Sequence, residues 1–270
     1  MIENVLWIAV ALMVLSSVIP AKRGAKYLIG GTGWIFFSVH WAYQPIHYIE
    51  ISDYFNVVLT LAIAVFCLFM AHNMIREYRE PSISGMGGDI DIVLMVTSAT
   101  AIGSLFYFPF ANIPALNQWI ISNVTNSTAG LLGFLGYNVD STWHKITYNG
   151  YTVQIILACT AIESIALFTG LIVSINAPFK RLMSAFMISV PVIYALNIVR
   201  DAFVIVAYGE QWFGPESFEI AHHVIAKIGS AIALFVIAYA VMRILPELLD
   251  MIDGLWQMTT KRVRNIVRKS

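Results

Sequence analysis

The chain has 270 residues, of which 59% are hydrophobic and only 12% charged, and its mean hydropathy is +0.74. A soluble domain carries about 25% charge and about 45–50% apolar residues, glycine included; the excess here, arranged in long blocks, excludes soluble enzymes, nucleic-acid binders and disordered proteins and makes this a polytopic membrane protein. The 16 Lys and Arg balance the 16 Asp and Glu, so net charge excludes nothing and only the placement of charge is informative.

A bilayer core takes about 20 apolar residues as helix. Blocks of that kind predict an all-α membrane bundle of seven spans, at 4–20, 27–45, 54–75, 90–110, 151–176, 181–208 and 217–245. The first follows Met-Ile-Glu-Asn, with no positive n-region and no small-residue cleavage site before Pro20, and reads as a retained span. The second is the least apolar, but its Gly30, Gly31 and Gly33 suit close helix packing in lipid. The third contains Cys67 without polar company. After it, 76–89 (REYREPSISGMGGD) is a polar, Gly-containing break. It divides an N-terminal three-helix region at 1–80 from a membrane core at 81–246.

The fourth span leads into the largest external loop, 111–150. Ile113, Leu116, Trp119, Ile120 and Val124 recur there at helical spacing, followed by LLGFLG at 131–136. An amphipathic cap on the outer surface is expected, carrying two N-glycosylation acceptors at Asn123 and Asn126.

Orientation follows from where the cations fall. Lys22, Arg23 and Lys26 lie between spans one and two, Arg76 and Arg79 between three and four, and Lys180 and Arg181 between five and six. Arg243, Lys261, Arg262, Arg264, Arg268 and Lys269 lie at and beyond the end of span seven. Lys145 alone falls on the opposite side. The expected N-terminus is outside and the C-terminus cytoplasmic, with 247–270 forming a basic amphipathic tail along the inner interface.

Two cations remain inside spans, Arg200 and Lys227, and ionisable groups there usually face a bundle interior or a cavity. Counted from the outer span ends at 1.5 Å per helical residue, Cys159, Arg200 and His223 all fall about 9–12 Å below the external boundary. Such a set suits nucleophilic catalysis. A neighbouring His or Arg favours the reactive thiolate. A His can take the thiol proton and return it to a leaving amine. An Arg stays protonated and can stabilise thiolate or oxyanion. Asn197 is three residues before Arg200, on nearly the same helix face, and could orient it or add an oxyanion donor. Glu163, one turn below Cys159, could hold a His tautomer or pair with Arg200.

Adjacent helix residues point about 100° apart, so only one of His222 and His223 can face the Cys159 side. A face carrying Glu219, His223 and Lys227 is too polar for lipid, which favours His223; small Ala226 and Gly229 on the face of His222 argue the other way.

Blander readings compete. Cys159 and Cys67 could be small packing residues, and Arg200 with Asp201 a structural pair or snorkelling anchor. Paired histidines could be half a metal site, but no carboxylate-rich ligand set shares their depth. Lys227 in a seventh helix suits a retinal Schiff base, but the third span lacks a carboxylate counter-ion. A transporter or channel with an externally facing polar site is the principal alternative, although no inverted repeat is visible.

The ordered set A-C-T-A-I-E-S at 158–164, N-I-V-R-D at 197–201 and H-H at 222–223 resembles the exosortase/archaeosortase family. The stretch A-H-H-V-I-A-K-I-G-S at 221–230 draws it towards the archaeosortases, and the resemblance covers 90–245. It implies a membrane-embedded cysteine transpeptidase; no cofactor or metal is expected. Cys159 would be the nucleophile forming a thioester, Arg200 the stabiliser, and His222 or His223 the acid/base. The implied partners are secreted proteins whose C-terminal tail has a motif of the Pro-Gly-Phe type, a transmembrane helix and a basic cluster. The tail would be cut near the extracellular face and the new C-terminus joined to a membrane lipid.

Overall fold

The structure is a computed structural model describing residues 2–20, 24–50, 53–79 and 87–267. Lys22, Arg23, residues 80–86 of the expected break, Arg268 and Lys269 lie outside the described residues, as do the side chains of Lys261, Arg262 and Arg264. The chain is a helical membrane bundle with a small sheet inserted. Its helices are α1 (Ile2–Val18), α2 (Ala25–Glu50), α3 (Tyr54–Arg79), α4 (Gly87–Asn112), α5 (Pro114–Phe134), α6 (Ile162–Ser174), α7 (Phe179–Gly209), α8 (Lys227–Ile244) and α9 (Glu247–Val267). Among the described residues, Tyr54–Arg79, Ile92–Asn112, Phe179–Gly209 and Glu219–Ile244 are long and apolar enough to cross a bilayer, and Asn4–Val18 and Ile162–Ser174 are shorter apolar helices.

The chain divides into two compact units, Met1–Ser104 with Glu247–Ser270, and Leu105–Pro246. In the first, glycines let α1, α2 and α3 approach closely. A Cβ on Gly30 would run into Met74 and Ser16, and one on Gly33 would meet Met13 at 3.0 Å. That is the role expected of small residues between helices in lipid. Trp34, 1% exposed, fills the centre and donates its indole N–H to Thr97 Oγ1 at 2.9 Å. The amphipathic α9 buries Leu248, Met251 and Met258, and leaves Leu249, Ile252 and Trp256 exposed.

The second unit positions the site. Pro114 opens α5, whose fixed φ suits a first helical turn. The helix spans the region where an amphipathic cap was expected, with Asn123 and Asn126 on its exposed side. Beyond it the chain forms an antiparallel sheet of β1 (Asp140–Ser141), β2 (Lys145–Tyr148) and β3 (Tyr151–Gln154), in that order. Asn149 and Gly150, both at positive φ (50° and 83°), make the two-residue turn that matches strand twist. The register pairs Tyr148 with Tyr151 and Ile146 with Val153. Ile121, Val124 and Leu132 of α5, Ile146 and Val153 of the sheet, and Ile205 of α7 share one buried core.

A single helix over 151–176 was expected, and the structure corrects it. Residues 151–154 are a strand, Leu157–Cys159 a 3₁₀ turn, and Ala161 adopts a left-handed conformation at φ 56° before α6 begins. Tyr151, Val153 and Ile155 supply apolar length, but they do so by alternation, which builds a strand. The remaining helix has 13 residues, about 20 Å at 1.5 Å per residue, short of the roughly 30 Å hydrocarbon core. Span seven also departs from a regular helix: Glu219–Ala226 is π-helical and only Lys227–Ile244 is α-helical. At the far end of α8, Arg181 Nη2 donates to the carbonyl of Ile244 at 2.7 Å, satisfying a terminal carbonyl with a cation.

Candidate active site

The break that corrects span five is what presents Cys159. Its N–H donates to Ile156 O at 2.8 Å, closing the 3₁₀ turn, and Thr160 Oγ1 donates to Leu157 O at 2.7 Å. Left-handed Ala161 then turns the chain into α6, so Cys159 lies outside the helix and not eight residues within one. A main-chain carbonyl outside a regular ladder needs a partner when buried. Asn197 of α7 supplies it, donating Nδ2 to Cys159 O at 2.6 Å.

Asn197 also organises its own helix. Its Oδ1 accepts from Arg200 Nη1 at 3.4 Å, and its Nδ2 also reaches Asp201 Oδ2 at 3.3 Å. Arg200 Nη1 lies 3.7 Å from Asp201 Oδ1. From its other nitrogen, Arg200 Nη2 approaches His222 Nε2 at 3.4 Å. A guanidinium only donates, so Nε2 is the acceptor and the neutral ring carries its proton on Nδ1. Cys159, Asn197, Arg200, Asp201 and His222 thus form one connected cluster. Two of its atoms, Arg200 Nε and His222 Nδ1, are buried and find no partner among the described residues. Buried polar atoms are rarely left so, and each of these donors could take an incoming acceptor.

Aromatic rings hold His222 in place. Phe218 stacks on its ring (centroids 5.2 Å, planes 9° apart), Tyr208 packs against Phe218 at 5.3 Å, and Tyr151 of β3 against Tyr208 at 4.9 Å. The sheet therefore braces the imidazole through three rings.

His223 sets its ring edge-on against His222, with centroids 4.6 Å apart, but is the more exposed of the two. Its side chain is 51% exposed and pairs with Glu219, itself 71% exposed, at 3.7 Å, and Lys227 is exposed as well. Glu219, His223 and Lys227, expected to line the interior, are exposed, whereas His222 lies against Arg200. This stretch has π-helical i→i+5 bonding, which rotates each residue relative to the 3.6-residue α register. Glu163 is exposed, accepts from Tyr107 Oη at 3.4 Å, and lines the same cavity as Asn197 and Arg200. Cys67 is 1% exposed in α3, within the other unit.

Phe218 and Ala161 carry no signal for this site in the sequence, and Asp201 was expected only as a structural partner of Arg200. Asp201 was legible as the fourth residue after Asn197 on one helix face. The left-handed turn at Ala161 left no trace in a sequence without glycine there. Beside the cluster is a cavity of about 130 Å³, lined by Leu157, Ala161, Ile193, Asn197, Arg200 and Ala233 among others. Its lining mixes polar side chains, among them Glu163 and Ser230, with apolar ones. Among the described residues, no group of three His, Cys, Asp or Glu could hold a metal ion.

The family model for transmembrane exosortases matches residues 3–242. The chain is 25% identical over 293 aligned residues to Archaeosortase A of Haloferax volcanii, covering 94% of this chain and 92% of that protein. It is 26% identical over 266 residues to Archaeosortase A of Natronomonas pharaonis, covering 86% and 79% respectively. No solved structure matches it.

Proposed function

The chain belongs to the transmembrane exosortase family, a family of membrane-embedded sorting transpeptidases, and on that premise we propose that Cys159 is its nucleophile, Arg200 its oxyanion stabiliser and His222 its acid/base. The observation that carries this reading is the continuous connection from the Cys159 carbonyl through Asn197 and Arg200 to His222.

The reaction runs in two halves. As Arg200 turns a donor towards the substrate, His222 Nε2 is freed to accept the thiol proton, and the Cys159 thiolate adds to the scissile carbonyl carbon. The oxyanion forms against the guanidinium, including the orphaned Nε, where a preorganised donor is worth most. The C–N bond then breaks, His222 returns the proton to the departing amine, and a thioester remains on Cys159. In the second half a hydroxyl of a membrane lipid loses its proton to His222 and attacks the thioester. The product is an ester at the new C-terminus, with the thiol restored. Water in place of the lipid gives hydrolysis.

The substrates of this reading are secreted proteins carrying a C-terminal tail with a motif of the Pro-Gly-Phe type, a transmembrane helix and a basic cluster. The N-terminus of the enzyme is outside and its C-terminus cytoplasmic, on the strength of the cation distribution, and the site opens near the extracellular face. The half-apolar cavity beside Arg200 suits a substrate that arrives from within the membrane. The test is processing of a tail-bearing substrate by Cys159→Ala. Accumulation of full-length substrate is expected, and normal processing would remove the mechanism.

A further inference from the structure

The sheet ends on an open edge that runs directly into the nucleophile's turn. In the order β1-β2-β3, β2 is paired on both sides and β3 on one. The two-residue turn at Asn149–Gly150 makes Tyr148 and Tyr151 a hydrogen-bonded pair, and bonded and non-bonded pairs then alternate along the ladder. Two contacts confirm the phase. Ile155 N–H donates to His144 O at 2.8 Å, as a bonded position must. Thr147 and Thr152 bring their hydroxyls together at 2.8 Å, as the close side chains of a non-bonded pair do.

It follows that the main-chain N–H and C=O of Thr152 and Gln154 point away from β2. Both residues are exposed, and among the described residues no main-chain group pairs with them. Five positions beyond Gln154 the chain reaches Cys159. An edge of this kind offers a donor and an acceptor at every second residue, about 6.8 Å apart, and an extended peptide matches that repeat.

We propose that the outer edge of β3 binds the substrate as an added strand, main chain to main chain, and thereby delivers its scissile carbonyl to Cys159. The proposal rests on the reading of Cys159 as nucleophile. Its occupant is an extended segment of the substrate next to the bond to be cut, recognised by its backbone. A second copy of this chain, or no partner at all, are the outcomes that would contradict it. The edge is short, four residues, and ends at the thiol's turn. That suits a transient strand beside a reaction centre better than a stable interface.

The test is Gln154→Pro in the full-length protein. It deletes an outward N–H and leaves every β2–β3 hydrogen bond in place, a position where edge strands tolerate proline. Gln154→Ala, which keeps the main chain, is the control. With a purified tail-bearing substrate, Gln154→Pro should raise KM about ten-fold, the effect of one lost hydrogen bond. The rate of Cys159 alkylation by a small maleimide should be unchanged, and Gln154→Ala should behave as wild type. A wild-type KM in Gln154→Pro overturns the proposal, as does a shift from dimer to monomer without a change in KM.

If Gln154→Pro loses its fold, shown by altered alkylation or melting, the wild-type protein decides. Substrates N-methylated one residue at a time beside the scissile bond should lose turnover at alternate positions, and a flat profile overturns the proposal. Failure here is distinct from failure of the mechanism, because Cys159→Ala would stay inactive while Gln154→Pro remained normal.

Discussion

Asn197 donates its side-chain amide to the main-chain carbonyl of Cys159 at 2.6 Å, across 38 residues of sequence, and so fastens the thiol's turn to the helix that carries Arg200. The amide does three tasks at once, since it also reaches Asp201 and accepts from Arg200. Removing it leaves a carbonyl and a nearly buried carboxyl short of a donor. Asn197→Ala should therefore cost about 1–3 kcal/mol of stability. Asn197→Asp, which keeps the acceptor for Arg200 but cannot donate to Cys159, should lose the turn's anchor as well. Thermal melting in detergent, together with kcat/KM, checks both, and an unaltered Asn197→Asp would mean that the carbonyl contact is dispensable.

Arg200 makes two directional contacts from different nitrogens, one to Asn197 and one to His222. A lysine keeps the charge and loses the fork. Arg200→Lys should fold normally and fall in turnover by about 10²–10³, the loss typical of a missing oxyanion donor. Steady-state rates with a tail-bearing substrate decide the matter. Near-normal turnover would reduce Arg200 to a charge anchor.

The two histidines make opposite predictions. His222 contacts Arg200 and is clamped by Phe218, while His223 is half exposed beside Glu219. His222→Ala should abolish most activity and remove the inflection that a titrating imidazole contributes to the pH–rate profile. His223→Ala should keep both. The converse pattern would place His223 at the reacting atoms.

Ala161 carries the strain that turns the chain from Cys159 into α6. Its φ of 56° suits glycine far better than an L residue. Ala161→Gly should leave melting unchanged or slightly raised, because relief of the left-handed penalty offsets the freedom glycine adds to the unfolded chain. Ala161→Val, β-branched at a positive φ, should destabilise by about 1–3 kcal/mol and slow processing by shifting the thiol. Equal melting of the two variants would show that the turn is unstrained.

Much of the bundle was legible because apolar length is a strong signature. The spans expected at 54–75, 90–110 and 181–208 lie within α3, α4 and α7, and the spacing of Ile120 and Val124 announced α5. The segment beginning at Tyr151 misled for a physical reason: a hydropathy window counts Tyr151, Val153, Ile155 and Ile156 as span, whatever their period. The dipeptide Asn149–Gly150 between K-I-T-Y and Y-T-V-Q is the strongest short hairpin signature, and it identifies this sheet. Cys159 and Arg200 could be singled out by chemistry alone. Which of His222 and His223 lies against Arg200 depends on a π-helical stretch whose register no 3.6-residue count contains.

The measurement that bears most directly on the mechanism is mass spectrometry of the intact enzyme after brief incubation with a tail-bearing substrate. An adduct on Cys159 equal in mass to the substrate lacking its tail, released by hydroxylamine, is the expected result. It should be absent in Cys159→Ala and retained in Cys67→Ala. Tail removal by Cys159→Ala, with no thioester in the wild-type protein, would contradict the account.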